Sequence, residues 1–319
     1  MAAALPARRT KMPLRLLRAL VVHRRLVACL CVAGLIAFAA VVWFVGGSLI
    51  APNRFEVGEP PAQPPNEEVA FASASGARLA GWYAEHEDAQ AAVLLLHGLR
   101  ASRRQMAERA QLLHAAGFAT LAIDLQGHGE SEGDAITAGW RERDDVRAAV
   151  QWLKERQPAR RLGVIGISLG GAATLLAGPR ADGREAASAP LAIDALVLES
   201  VYPTIDEAVH ARIDAELGPL AHLLTPALLT QFDLRLSIDT DLVRPIDHIA
   251  ACGAPVLLLA GNQDLGTPLP QSLRLFESAR DPKTLVVFEG AGHVDLCRHD
   301  RALWEREVLA FLREHLDLS

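Results

Sequence analysis

Twenty-five consecutive residues, 26–50, carry no charge, and Val, Leu, Ile, Ala and Phe dominate them. A helix here is long enough to cross the roughly 30 Å hydrocarbon layer, which needs about 20 apolar residues. A cleaved signal peptide has an apolar core of only about 7 to 15 residues that ends in an A-x-A-like site, and the segment meets neither condition. Leu26-Val27-Ala28-Cys29 is like a lipoprotein cleavage box, but it opens the apolar run instead of closing it. The pattern therefore predicts a transmembrane helix over 26–50. Upstream, in the basic segment 1–25, Leu14, Leu16, Leu17, Leu20 and Val21 alternate with arginines, which suits an amphipathic helix on an anionic leaflet. Downstream, Pro52, Pro60, Pro61, Pro64 and Pro65 favour extended geometry, and 51–67 reads as a linker, a stalk lifting the remainder off the bilayer.

From residue 68 onward the pattern changes to short apolar runs alternating with amphipathic stretches of helical length. Residues 69–74 and 78–83, around Ser75-Gly76-Ala77, predict a leading hairpin. Runs at 92–96, 119–123, 162–167, 195–199, 256–260 and 284–288 suit strands buried on both faces, with helices expected near 103–116, 142–156, 169–178, 269–279 and 301–316. Such alternation predicts an α/β domain over 68–319, its mainly parallel sheet covered by helices on both sides. Residues 201–250 break the rhythm with apolar helical segments and four prolines, and predict a helical cap inserted after the sixth main strand.

Charge adds an orientation. The first 25 residues hold seven basic groups (Arg8, Arg9, Lys11, Arg15, Arg18, Arg24, Arg25) and no acid. Removing them from the total of 32 leaves 25 basic against 38 acidic residues, about thirteen units negative, which excludes a nucleic-acid partner for the remainder. Only Arg54 follows the span closely, so the positive-inside bias places the N-terminus in the cytoplasm and the folded domain on the extracytoplasmic side. With 29 arginines to three lysines, a bias of GC-rich coding DNA, a bacterial source and hence a periplasmic domain are expected. An Arg-rich start also fits a mitochondrial targeting peptide, but serine is absent before Ser48 and a full-length span follows. The four cysteines form no metal-ligand spacing, so neither a metal nor another cofactor is implied.

The strongest chemical signal is Gly166-Ile167-Ser168-Leu169-Gly170, between a strand-like run and a small-residue helix. A serine on such a strand-to-helix turn is held in a strained backbone conformation and needs glycines two residues either side for room. It also needs a base and a carboxylate that orients the base. His293, in Gly290-Ala291-Gly292-His293 after an apolar strand, is the expected base; His299 and His315 fall in or beside the terminal helix. Asp264 in Gly261-Asn262-Gln263-Asp264 is the expected acid, with an Asx-turn as its structural alternative and Glu199 as the fallback acid. Oxyanion donors are expected at the backbone N–H groups of Leu99 and Leu169, and His97 is expected to brace the loop.

Taken together, residues 68–316 resemble a membrane-anchored serine hydrolase of the α/β-hydrolase superfamily. The likeness includes the serine turn, Asp124-Leu125-Gln126-Gly127-His128-Gly129-Glu130-Ser131 as a D-x-x-G-x-G-x-S loop, Gly261 to Pro268, and the His293 loop, all in order. The departure is at Leu99-Arg100, where small or polar residues are commoner. The resemblance implies an α/β-hydrolase fold, acyl transfer on a small-molecule substrate through Ser168, His293 and Asp264, and a loop-shaping role for His128. Ester, thioester and peptide bonds all remain open, as does an inactive binding module displayed on the membrane. The leucines of the cap (Leu217, Leu220, Leu223, Leu224, Leu228 and Leu229) suit either an acyl chain or plain cap packing. Cys252 and Cys297 fall at opposite ends of the strand preceding Asp264, about 20 Å apart, and are expected as free thiols.

Overall fold

The computed structural model describes residues 14–158, 160–181 and 190–316. The start of the expected basic segment, residues 1–13, lies outside the described residues, as do the side chains of its apolar face and residues 317–319.

The chain divides into two compact units, the first ending at Val45 and the second beginning at Gly46. Helix α1 (Leu14–Ile50) starts well before the apolar run, because arginine and leucine are both good helix formers and nothing breaks the chain between them. Within it Val22–Ile50 is long and apolar enough to cross a membrane. At 1.5 Å per residue this stretch spans about 43 Å. Many of its large apolar side chains, among them Leu30, Leu35, Ile36 and Phe44, are exposed.

The second unit is built on an eight-stranded sheet. Its strands are β1 (Glu67–Ala72), β2 (Arg78–Ala84), β3 (Ala91–Leu96), β4 (Ala119–Ile123), β5 (Arg161–Ile167), β6 (Ala195–Glu199), β7 (Val256–Gly261) and β8 (Lys283–Phe288). They lie in the order β8-β7-β6-β5-β3-β4-β2-β1, parallel except that β2 runs against both β1 and β4. Strand β3 shows why the central runs are apolar without alternation. Ala92, Leu94 and Leu96 enter one core, Ala91, Val93 and Leu95 enter the other, and all six are buried. Helices α2 (Ala107–Ala115) and α3 (Glu142–Arg156) cover opposite faces; α4 (Leu169–Ala177) lies on the α3 side.

Between β6 and β7 the chain makes a helical hairpin, α5 (Ile205–Leu217) and α6 (Ala221–Leu236). Thr204 caps α5 by accepting from Glu207 N–H at 3.2 Å. The stripe of leucines splits: Leu228 and Leu229 are buried, whereas Leu217, Leu220 and Leu223 are exposed. Beyond β7 come α7 (Leu269–Ser278), packed on the α3 side, and the C-terminal α8 (Arg301–His315), packed on the α2 side.

Residues 51–67 are not a free stalk. Asn53 and Phe55 donate from their backbone to Gly127 O (2.6 Å) and Gly129 O (2.9 Å), and Val57 N–H donates to Glu130 Oε1 (2.9 Å). Arg104 holds Val57 O at 3.0 Å through Nε, and Gln111 holds Gln63 O at 2.9 Å. The prolines do keep the segment extended, but extended backbone presents its N–H and C=O groups to neighbours, and here the domain supplies partners for them. The last turn of α1 is drawn in as well, since Ile50 is buried and its carbonyl accepts from Ile136 N–H at 2.8 Å.

Candidate active site

Parallel strands bring their carboxyl ends to one edge of a sheet, and loops leaving that edge carry the expected site. Ser168 follows β5 directly and has φ 47° and ψ −105°, a left-handed conformation that costs a non-glycine residue free energy. The two glycines that flank it have no space for a side chain. A Cβ on Gly166 would stand 2.5 Å from Gly171 N, and one on Gly170 would stand 2.6 Å from Leu96 O and 2.8 Å from His97 O. Ser168 N–H donates to Glu199 O at 2.8 Å, which ties the turn to the end of β6. Its Oγ is buried and has no hydrogen-bond partner among the described residues. Ser168 lines an apolar cavity of about 130 Å³ with Leu49, Leu99, Leu169, Val209 and Phe232. None of the six cap leucines lines it.

Asp264 and His293 lie 29 residues apart and are hydrogen-bonded, with His293 Nδ1 at 2.9 Å from Oδ2 and 3.1 Å from Oδ1. Pairing of β7 with β8 sets Gly261 beside Phe288, and the loops that follow are stitched together. Gln263 N–H donates to Ala291 O (2.9 Å), and Gly290 N–H donates to Asn262 Oδ1 (2.7 Å). Asp264 is 3 % exposed, and its Oδ1 also accepts from Gly266 N–H (2.8 Å) and Thr267 N–H (2.7 Å). The turn-forming and imidazole-orienting roles of this aspartate therefore coexist in one carboxylate. His293 is one-third exposed. The structure thus joins Asp264 to His293 and sets Ser168 on the same sheet edge, without a hydrogen bond from Ser168 Oγ to the imidazole.

Glu199, the fallback acid, is engaged elsewhere. Both its oxygens are held by Arg109, Nε to Oε1 at 2.9 Å and Nη2 to Oε2 at 2.6 Å, and Trp304 Nε1 donates to Oε1 at 3.0 Å. Arg109 also reaches Asp295, two residues beyond His293, at 2.9 and 3.0 Å. Burial opposes the charge of Arg109, but the Glu199 and Asp295 carboxylates outweigh it and push the guanidinium pKa up. This network under the His293 loop is invisible in the sequence, where Arg109 is one arginine in an amphipathic helix. The only trace was an acid, Glu199, closing an otherwise apolar strand.

The loop after β3 carries Leu99, which is exposed, whereas Leu169 is buried. Leu169 N–H opens α4 and so has no carbonyl partner within that helix. His97 braces the loop: Nε2 accepts from Leu125 N–H at 3.0 Å, which makes Nδ1 the protonated nitrogen facing Gly98 O at 2.7 Å. Burial drops its pKa to about 4, with Arg103 nearby adding to the effect. Asp124 is buried and ion-paired to Arg103, and it accepts from Arg103 N–H (2.6 Å) and Glu130 N–H (2.9 Å). Ser131 Oγ closes the loop onto Asp124 O at 2.6 Å. His128 stacks edge-on against His97, and burial holds its pKa down at about 3. Burial thus favours the neutral form of both imidazoles at pH 7. Cys252 and Cys297 are free thiols, and burial pushes the Cys297 pKa up to about 12.

Residues 87–239 match the model of a family described as serine aminopeptidase, S33. The chain is 32% identical over 237 residues to the uncharacterized protein MT2364 of Mycobacterium tuberculosis, covering 73% of this chain and 74% of that one. In fold it is similar to the Pyrococcus furiosus esterase Pf2001, with a TM-score of 0.66 and 23% identity over 84% of this chain and 98% of that chain. It is likewise similar to the alpha/beta hydrolase GrgF from Penicillium sp. sh18, with a TM-score of 0.58 and 20% identity over 79% and 99% of the two chains. Sheet order, serine turn and these likenesses agree, and the chain belongs to the α/β-hydrolase superfamily.

Proposed function

We propose that the protein is a membrane-anchored serine hydrolase that cleaves an ester or related acyl bond with Ser168 as nucleophile, His293 as base and Asp264 as the group orienting the base. One observation carries this reading: a strained, buried serine with an unpartnered hydroxyl lines an apolar cavity at the sheet edge that also holds a hydrogen-bonded Asp264–His293 pair. Ser168 Oγ attacks the substrate carbonyl and its proton passes to His293 Nε2, while Asp264 keeps Nδ1 protonated. The N–H groups of Leu99 and Leu169 stabilise the oxyanion, and the positive end of α4 adds to that field. His293 then hands its proton to the leaving oxygen, and water, deprotonated by the same imidazole, releases the acyl group from Ser168. Helix Val22–Ile50 anchors the chain once through a membrane, with the N-terminus in the cytoplasm and the hydrolase domain on the extracytoplasmic side.

Labelling with a fluorophosphonate probe tests the nucleophile, since only an activated serine reacts. Wild type should label and Ser168→Ala should not; unlabelled but folded wild type would leave the domain a binding module, and a labelled mutant would remove Ser168 as the nucleophile. The family model's description favours a second substrate class, a peptide bond. Acyl esters, thioesters and aminoacyl amides assayed side by side separate the classes by kcat/KM.

A further inference from the structure

Leu49 is an unusual lining residue for the cavity beside Ser168. It belongs to the second compact unit, yet it lies in the last turn of Val22–Ile50, the stretch able to cross a membrane. That turn is bonded into the edge of the site. Ser48 O accepts from Arg100 Nη2, and Asn53 Nδ2, just past the turn, donates to Arg100 O at 2.9 Å. Arg100 has φ 59° and directly follows Leu99, the expected oxyanion donor. A non-glycine residue stays in that region only when its surroundings hold it there, and both bonds tie Arg100 to residues at or just past the end of α1. The cavity itself suits an alkyl chain. Its walls are mainly Ile136, Val209, Ile213 and Phe232, and its polar members turn to backbone carbonyls, Tyr202 Oη to Ala138 O (3.0 Å) and Arg212 Nη1 to Ala208 O (2.9 Å). On the hairpin α5–α6, Leu217, Leu220 and Leu223 are each more than half exposed, a surface compatible with lipid.

We propose that this cavity binds the alkyl chain of an acyl ester resident in the membrane, and that the last turn of α1, through Leu49 and Ser48, forms one wall of that acyl site and sets the oxyanion loop. The proposal rests on the serine-hydrolase reading above. A chain already in the bilayer can enter the apolar cavity without exposing its methylenes to water; a soluble ester instead brings its chain out of water, so, referred to the free aqueous ester concentration, each methylene bound should raise kcat/KM by about fourfold.

The test uses the full chain in phosphatidylcholine nanodiscs, with p-nitrophenyl esters from acetyl to octanoyl and with 1-oleoylglycerol in the bilayer. Wild type should show the fourfold rise per methylene until the cavity is filled, and should release oleate; Ser168→Ala should do neither. Leu49→Trp, and independently Val209→Trp on α5, should lower the octanoyl-to-acetyl preference at least tenfold. Val209→Trp carries the test alone if Leu49→Trp does not fold. A flat chain-length series in wild type, no release of oleate, or two tryptophan variants that keep the wild-type preference would overturn the proposal while leaving a hydrolase of short esters. No turnover of any ester together with no fluorophosphonate labelling would instead remove the serine-hydrolase reading.

Discussion

The cavity beside Ser168 has one wall made by the sheet edge and another made by helices, and the two are built to different tolerances. On the sheet side every element is fixed from several directions. Gly166 and Gly170 have no space for a methyl group, Ser168 N–H is tied to Glu199 O, and Glu199 is itself clamped by Arg109 and Trp304. On the helix side, α5 and α6 bury one stripe and leave Leu217, Leu220 and Leu223 in the open. The chemistry requires atoms placed to fractions of an ångström, whereas an alkyl chain asks only for apolar surface of about the right shape. On the proposed function, the over-determined wall carries the reacting groups and the looser one carries selectivity.

The sharpest way to break the rigid wall is Arg109→Met, which strands the buried Glu199 and part-buried Asp295 carboxylates. Stability should fall by about 3 to 5 kcal/mol in chemical denaturation, and a loss under about 1 kcal/mol would mean that the network is not structurally important. Gly170→Ala is next. Its methyl group would press on Leu96 O and His97 O and move the β3 loop away from Leu169 N–H. Activity should drop about 10²- to 10³-fold, mostly in kcat, as for loss of one oxyanion donor; unchanged kcat would show the contact to be soft.

A third test works through pH. His97 is buried neutral with its pKa lowered to about 4, so the folded chain refuses a proton that the unfolded chain accepts below about pH 6.5. Stability is thus lost as pH falls from about 6.5 to 4, by about 3 kcal/mol in all. Asp145 acts oppositely, its pKa pushed up to about 7 by burial, and costs stability as pH rises from about 4 to 7. Asp145 is common to wild type and His97→Gln and drops out of the difference between their melting curves, which reports His97 together with its effect on the adjoining His128. Wild type should lose its advantage over the variant as the solution is acidified, and a difference independent of pH would contradict the assignment. On the looser wall the effect should be smallest: Leu223→Ser should alter stability by no more than about 0.5 kcal/mol, and a larger change would show that the exposed leucine is packed in solution.

Local chemistry explains how much of the arrangement was legible in advance. The strands are short apolar runs bounded by turn residues, and the serine turn declares itself because Gly-x-Ser-x-Gly between strand and helix has few other uses. Asp264 and His293 were marked by their positions just after two strands, and β7 pairing with β8 is what makes those positions adjacent. Residues 51–67 misled, since proline spacing reports extended backbone but not what lies alongside it. The cap leucines left two readings open, because composition does not say which side of a helix faces a cavity; none of the six lines it, and Leu228 and Leu229 are buried.

By itself the sequence determined the α/β layering, the apolar stretch at the N-terminus, the serine turn and the order of the loops that follow the strands, all properties of contiguous residues and their periodicity. Only the tertiary structure decided that Arg109, Glu199, Asp295 and Trp304 form one buried network, that 51–67 lies against the domain, and that Leu49 shares a cavity with Ser168. Those contacts join residues about 50 to 190 positions apart. What selects them is the packing of a whole core and the cost of leaving a buried polar group without a partner, and neither is written in any local stretch of chain.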